Sequence, residues 1–256
     1  MALFGQFLPL NPNDIHLPSI LQPPSWGMWL GADDLGRPLL DRLITGAQTS
    51  FFVAFWVVSI SALVGTSLGM ISAWFGGVID LIIVRIIDLF LAFPSILLAI
   101  ALSGLLGPSL ENVVFALVIV GWVGFARLAR AQTLSLKRRE HVQAAVALGA
   151  KNPRILWHHI LPLLTAPLII EATFGIAGVV IAEAGLSFLG LGVQPPDASW
   201  GAMIRDGTAY MLVAPHMVLA PGITLLLVVL AVNLFGDMLR DKLDVKNKRH
   251  IQHNKH

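Results

Sequence analysis

The sequence predicts an all-α protein that crosses a membrane several times. Of its 256 residues, 56% are hydrophobic and only 12% are charged, and the mean hydropathy is +0.77. A soluble domain carries about 25% charged residues, so much of this apolar surface must face lipid. Five stretches reach the roughly 20 apolar residues that cross a hydrocarbon core. They are too long for barrel strands, and a helix satisfies its own backbone groups in lipid, so helices are expected.

The five spans are predicted at about residues 51–75, 81–106, 113–134, 163–186 and 217–238. Just before the first span, the apolar residues of Leu39–Ala47 recur with helical spacing. This spacing predicts a separate short helix lying at the outer membrane interface. In the second span, Pro94 is expected to introduce a kink.

The distribution of basic residues predicts the orientation. Three of the 17 Lys and Arg residues fall on one side of the spans: Arg37, Arg42 and Arg205. The other 14 fall on the opposite side: Arg85, Arg127, Arg130, Lys137, Arg138, Arg139, Lys151, Arg154, Arg240, Lys242, Lys246, Lys248, Arg249 and Lys255. The positive-inside rule places the richer side in the cytoplasm.

This orientation divides the chain into three regions. Residues 1–48 form an extracytoplasmic N-terminal segment, residues 49–240 the transmembrane domain, and residues 241–256 a cytoplasmic tail. The loop 135–162 then lies in the cytoplasm. An outer segment of this length needs a preceding span to export it, and residues 3–10 resemble the last turns of one. We therefore expect a first span to be missing, and a true five-span protein is the less favoured alternative.

The loop 135–162 carries a short amphipathic helix. Its residues 137–148 are good helix formers, and Gly149 is suited to end the helix. Val142, Ala145, Val146 and Gly149 fall on one small, moderately apolar face. Such a face suits docking into a groove on a partner protein better than building a core. The pattern alone leaves open an interfacial helix that rests on anionic lipid.

The loop carries Gln143-Ala144-Ala145, then Gly149, then Ile160-Leu161-Pro162. Together these residues resemble the cytoplasmic signature of bacterial ABC importer permeases. Further segments resemble the C-type permeases of dipeptide, oligopeptide and nickel importers: 29–37, 85–88, 92–94, 183–192, 200–201 and 236–244. One departure is Gln143, which stands where the signature has Glu. A second is the first span of the family, which we expect to be missing here because the start is truncated or misassigned.

The resemblance implies a role for the loop and a set of partners. Contact with an ATP-hydrolysing subunit is implied for Glu140, Gln143, Ala144, Ala145, Gly149, Ile160, Leu161 and Pro162. The implied partners are a second homologous permease, two ABC ATPase subunits and an extracytoplasmic substrate-binding protein. The chain itself is expected to be non-catalytic and to hold no cofactor or metal, with ATP and magnesium bound by the ATPase. It has no phosphate-binding Gly-x-x-x-x-Gly-Lys-Ser/Thr motif.

Charged residues within the spans are candidates for the translocation pathway. Glu183 and Ser187 lie near the outer end of the fourth span, where a carboxylate can meet a cationic substrate or, as we favour, fix the following turn. Arg85 and Asp88 are three residues apart on one helix face. A paired structural role is favoured for them over a pathway role. Gly65 and Gly69 form a small-xxx-small pair that permits close helix approach, most simply within the chain.

The cargo and two competing functions stay open at this stage. Peptides are favoured as cargo, with nickel or a metal chelate as the alternative. An ion-coupled secondary transporter would use an intramembrane relay of carboxylates, and the few membrane carboxylates here form no evident relay. A membrane enzyme is ranked last because the loops carry no recognisable catalytic constellation. A chain without its first span can also be a non-functional remnant. The small formal charge of +2 gives no indication of a nucleic-acid partner.

Overall fold

The computed structural model describes residues 10–253, with side chains described to Leu243. Apart from Leu10, the predicted remnant of a span at residues 3–10 lies outside these residues, as do the side chains of the tail from Asp244. The described part is all-helical apart from turns and two isolated bridges. Its α-helices are α1 Leu39–Phe75, α2 Gly77–Leu91, α3 Ser95–Leu106, α4 Leu110–Leu136, α5 Glu140–Ala147, α6 Asn152–Ile155, α7 Leu161–Phe188, α8 Trp200–Thr208 and α9 His216–His253.

The long helices confirm the multi-spanning all-α fold. Four described helices are long and apolar enough to cross a membrane: α1, α4, the continuous segment Asn152–Phe188 that ends in α7, and α9 as far as Leu243. The pair α2 and α3 makes a fifth candidate if the two are counted as one bent span. The third, fourth and fifth predicted spans therefore coincide with α4, α7 and α9.

The second predicted span is wrong as a continuous helix. Helices α2 and α3 are bent by 86° at a break of three residues that ends in Pro94. Proline has no backbone N–H to donate and disfavours helical geometry in the residue before it, here Phe93. The kink expected from Pro94 is thus a complete break.

The separate interfacial helix predicted at Leu39–Ala47 is also wrong. These residues are the first turns of α1, which continues for 37 residues without interruption. Leu39, Leu43 and Ala47 are spaced four apart on one face and are all buried in the same cluster. Because that face is packed from the start, no break separates it from the apolar stretch that follows.

The chain divides into two compact units, and each long span contributes to one or both. The first unit comprises residues 10–57, 96–117 and 176–232. Its core surrounds the fully buried Trp200, whose indole N–H donates to the carbonyl of Leu43 over 3.1 Å. Met203 and Met217 complete this cluster.

The second unit comprises residues 58–95, 118–175 and 233–253. In it, α1 and α4 approach closely at two glycines. A Cβ atom on Gly65 would clash with the carbonyl oxygen of Trp122, and one on Gly69 with the carbonyl oxygen of Ala126. The small-xxx-small pair therefore serves packing within the chain, as the simpler hypothesis predicted.

Candidate functional site: the helical loop between α4 and α7

Helix α5 ends in a glycine motif that the sequence predicted. Gly149 has φ +78°, in the left-handed region that other residues seldom adopt. Its N–H donates to the carbonyl of Val146 over 2.9 Å, and the N–H of Ala150 donates to the carbonyl of Ala145 over 3.0 Å. These two bonds form a Schellman motif, which satisfies carbonyls at the helix end and turns the chain sharply.

The inner face of α5 is buried in the chain itself. Val142 is 0% exposed and Ala145 is 8% exposed. They pack in a cluster with Met70, Ala129, Leu136, Ile155, Ile160 and Leu164. The prediction that this face docks into a partner rather than builds a core is therefore wrong for Val142 and Ala145, whereas Val146 of the same predicted face is exposed. A helix of eight residues is too short to be stable alone, so it must bury one face against its own spans.

The outer face of α5 is exposed. Glu140, Gln143 and Ala144 are exposed. Two apolar side chains beside them are exposed as well, Val146 by 46% and Leu148 by 88%. Sequence reasoning missed Leu148 because it lies off the face that the helical periodicity selects. The surface offered by the loop is thus a small, largely neutral patch, which we call the α5 outer face.

Two side-chain hydrogen bonds anchor the start of the loop, one to a span and one within the loop. Lys137 donates from Nζ to the carbonyl of Ala73 at the end of α1 over 2.9 Å. Gln143 donates from Nε2 to the carbonyl of Lys137 over 2.7 Å. A glutamate has no N–H and cannot make this second bond when ionised. The departure from the signature at Gln143 therefore supports the turn between α4 and α5.

The three residues before and at the start of α7 differ in their surroundings. Ile160 is fully buried in the cluster under α5, and Leu161 is half-buried. Pro162 is exposed and lies inside the continuous helical segment Asn152–Phe188, directly after the π-helical stretch Leu156–Ile160. Of the predicted contact residues, Ile160 and Ala145 are thus buried within the chain, and a contact with an ATPase stays a prediction.

An ion pair that the sequence did not reveal lies near the loop. Arg130 of α4 donates from Nε and Nη2 to the two carboxylate oxygens of Asp80 over 2.7 and 2.8 Å. Ser72 near the end of α1 also donates to Asp80. This network joins α1, α2 and α4. Asp80 was missed because the second span was predicted to begin at Leu81. Its position next to a span, on the side rich in Lys and Arg, could have indicated an ion pair.

The candidate pathway residues are paired in the structure. Glu183 is 0% exposed; Ser50 donates to its Oε2 over 2.8 Å and Ser187 to its Oε1 over 2.7 Å. Arg85 and Asp88 lie 3.7 Å apart, with side chains 75% and 54% exposed. These contacts match the structural roles that were favoured, while a pathway role for any of the four candidates stays a prediction.

The described helices define a polytopic all-α membrane protein with a short helix between two of its spans. The matching family is described as binding-protein-dependent transport system inner membrane component, and it covers residues 65–248. The chain belongs to this family, so it is a multi-pass protein of the inner membrane.

Curated relatives narrow the comparison. The dipeptide transport system permease protein DppC of Alkalihalophilus pseudofirmus is 47% identical over 89% of this chain and 75% of the relative. The glutathione transport system permease protein GsiD of Escherichia coli O6:K15:H31 is 44% identical over 88% of this chain and 74% of the relative. A chain of the MetNI methionine ABC transporter, solved in inward facing conformations, superposes with a TM-score of 0.65 at 18% identity. That match covers 80% of this chain and 97% of the other, and it shows the shared fold.

Proposed function

We propose that this chain is the permease subunit of an ATP-driven importer of peptides, and that the α5 outer face receives the motion of a partner ATPase. The observation that carries the proposal is the division of α5 into two faces. Val142 and Ala145 bind it to the spans, while Ala144, Val146 and Leu148 stay exposed beside it. A helix held in this way moves together with the spans that bury it.

The same proposal places the loop in the cytoplasm and names the partners. The excess of Lys and Arg on the side of the loop supports this orientation. Two ABC ATPase subunits bind ATP and magnesium, a second permease completes the pathway, and a binding protein delivers the cargo from outside. The family description, which calls its members components of binding-protein-dependent systems, supports the last partner.

The contacts of the loop suggest how force passes from the ATPase to the spans. Lys137 and Gln143 hold the turn between α4 and α5, and the buried Ile160 holds the segment that leads into α7. The Schellman motif at Gly149 fixes the exit of α5. A rigid-body movement of the ATPase therefore tilts α4 and α7 as a unit instead of bending the loop.

Peptides are the cargo that the comparisons favour. Relatives that carry dipeptide or glutathione transport in their names match 88% or more of this chain. A nickel or chelate cargo stays the alternative from the sequence. An ion-coupled carrier is disfavoured, since Glu183 is enclosed by serine hydroxyls within its own unit instead of lying in a chain of carboxylates.

Co-purification followed by reconstitution tests the proposal. The tagged chain, purified gently from its native membrane, is expected to bring an ABC ATPase and a second permease with it. Proteoliposomes of that complex, supplied with the co-purified binding protein and L-alanyl-L-alanine, are expected to take up the dipeptide with ATP but not with a non-hydrolysable analogue. Uptake that ignores ATP and follows a proton gradient would contradict the importer assignment. ATP-dependent uptake of nickel but not dipeptide would correct the cargo.

A further inference from the structure

A polar strip runs along the half of α4 that leads to the loop. From the middle of α4 to its end, the exposed positions are Gly124, Arg127, Ala131, Gln132 and Ser135. Their spacing places them on one side of the helix, since residues three or four apart lie above one another. None of them carries a large apolar side chain. We call them the α4 polar strip.

Hydrocarbon does not suit this strip. Helix α9 shows the kind of side that lipid solvates, because between residues 219 and 231 its exposed positions are Leu219, Ile223, Leu226, Leu227, Leu230 and Ala231. The α4 polar strip instead carries Arg127, and no carboxylate of the described residues lies within 4.0 Å of its guanidinium group. An unpaired charge facing hydrocarbon is costly, so the strip must border water or another polar surface.

Glu171 of α7 lies at the deep end of the α4 polar strip. A Cβ atom built on Gly124 would lie 3.0 Å from Oε1 of Glu171, so the carboxylate occupies space that a side chain at position 124 would fill. Gly124 is near the middle of the 27 residues of α4, about 20 Å from either end of the helix. Half of a hydrocarbon core is about 15 Å thick, so the carboxylate of Glu171 lies deep in the membrane.

The carboxylate of Glu171 is both reachable and uncompensated. Its residue is partly exposed, and among the described residues it accepts no side-chain hydrogen bond and has no basic nitrogen within 4.0 Å. Two other carboxylates of the membrane domain are paired, Asp80 with Arg130 and Glu183 with two serine hydroxyls. Glu171 is therefore not explained by a structural pair, and an ionisable group at this depth borders a polar path through the membrane.

We propose that the α4 polar strip lines the water-filled translocation pathway, and that Glu171 is the group in mid-membrane that meets the cationic amino terminus of the cargo. The inference rests on the proposed function, because it assigns a wall of the pathway and a contact for a peptide cargo. Arg127, Gln132 and Ser135 keep the way from Glu171 to the loop hydrated. A carboxylate without a fixed partner can attract an ammonium group and release it again, which passage requires.

Cysteine labelling of the assembled permease and ATPase complex in nanodiscs tests whether water reaches the strip. The chain has no cysteine, so each substitution introduces its single thiol. Ala131→Cys and Glu171→Cys are treated with a trimethylammonium methanethiosulfonate, and labelling of this chain is followed by mass spectrometry. Both should react about tenfold or more faster than Leu227→Cys, because a thiol in apolar surroundings stays protonated and unreactive. Leu227 is the matched control, since it is 58% exposed deep in α9.

The charge of Glu171 is tested from a thiol placed beside it in Gly124→Cys. The labelling rates of the cationic reagent and of an anionic sulfonatoethyl methanethiosulfonate are compared with and without Glu171→Gln. The ratio of cationic to anionic rates should fall about fivefold in Glu171→Gln, because a unit charge near the sulfur attracts the cation and repels the anion. Glutamine keeps the shape of the side chain, so the variant should fold. Glu111→Gln, an exposed carboxylate at the far end of α4, should leave the ratio unchanged.

The outcomes separate this inference from the proposed function. Uptake of L-alanyl-L-alanine with binding protein and ATP is measured on the wild-type complex in proteoliposomes. If uptake proceeds but Ala131→Cys and Glu171→Cys react no faster than Leu227→Cys, lipid or another subunit covers the strip, and the inference is overturned while the function stands. An equal charge ratio with and without Glu171→Gln overturns the contact between Glu171 and the cargo. If wild-type uptake of every dipeptide fails, the proposed function falls and the inference falls with it.

Discussion

Replacing Gly149 with valine is expected to lower ATP-driven uptake about tenfold or more while the protein still reaches the membrane. The reason is conformational, since Gly149 has φ +78° and a Cβ atom there would meet open space. A left-handed conformation costs an ordinary L-residue about 1–2 kcal/mol, and a β-branched one resists it most. Losing the two hydrogen bonds of the Schellman motif adds about 1 kcal/mol each. The sum of these free-energy costs is too large for a helix of only eight residues to keep its C-terminal turn folded.

The matched control is Gly149→Asn. Asparagine is close to valine in size but tolerates the left-handed region, so most of the uptake should remain. The measurement is initial uptake by proteoliposomes, normalised to the amount of assembled complex. An equal loss of uptake in both variants would show that the size of the side chain at a docking surface matters, and that the left-handed turn does not. Full uptake by the valine variant would mean that the end of α5 does not transmit force.

Substituting Gly69 with alanine is expected to destabilise the second unit by about 1–3 kcal/mol, as overpacking of a core does. A Cβ atom at this position would clash with the carbonyl of Ala126 and approach the backbone nitrogen of Arg130 to 2.9 Å. Backbone atoms cannot swing aside as the end of a side chain can. Helices α1 and α4 must therefore separate, and this movement would also disturb the bond between Arg130 and Asp80.

Gly104→Ala is the control for this prediction. Gly104 lies inside helix α3 with nothing within 4 Å of its would-be Cβ atom, so alanine should be neutral or slightly stabilising there. The measurement is the midpoint of thermal unfolding of the isolated chain in detergent. A Gly69→Ala midpoint equal to that of the wild type would show that the close approach of α1 and α4 contributes no stability.

Much of the fold could be predicted because apolar length is a strong signal. Helices α4, α7 and α9 lie where hydropathy placed them. The places where a helix breaks or continues were harder to predict. Pro94 ends α2 completely instead of kinking it, whereas Leu39–Ala47 continues into α1 because Leu43 and Ala47 pack in one cluster.

The loop was predictable only where a local sequence signal determines the structure. A glycine that ends a helix is a local signal, so Gly149 was found. Which face of α5 turns inward depends on Met70 and Leu164, which belong to other helices, so the burial of Val142 and the exposure of Leu148 were not foreseen. The Asp80–Arg130 pair and the approach of Glu171 to Gly124 join residues distant in sequence, and no local pattern marks such pairs.

Photo-crosslinking from the α5 outer face tests the central claim most directly. Benzoyl-phenylalanine is placed at position 148 in place of Leu148, and separately at position 111 in place of the exposed Glu111 at the far end of α4. After irradiation of the assembled complex, position 148 is predicted to crosslink to the ATPase subunit and position 111 is not. A fully assembled complex in which position 148 gives no ATPase crosslink, or gives no more than position 111, would contradict the assignment of α5 as the contact that couples ATP hydrolysis to transport.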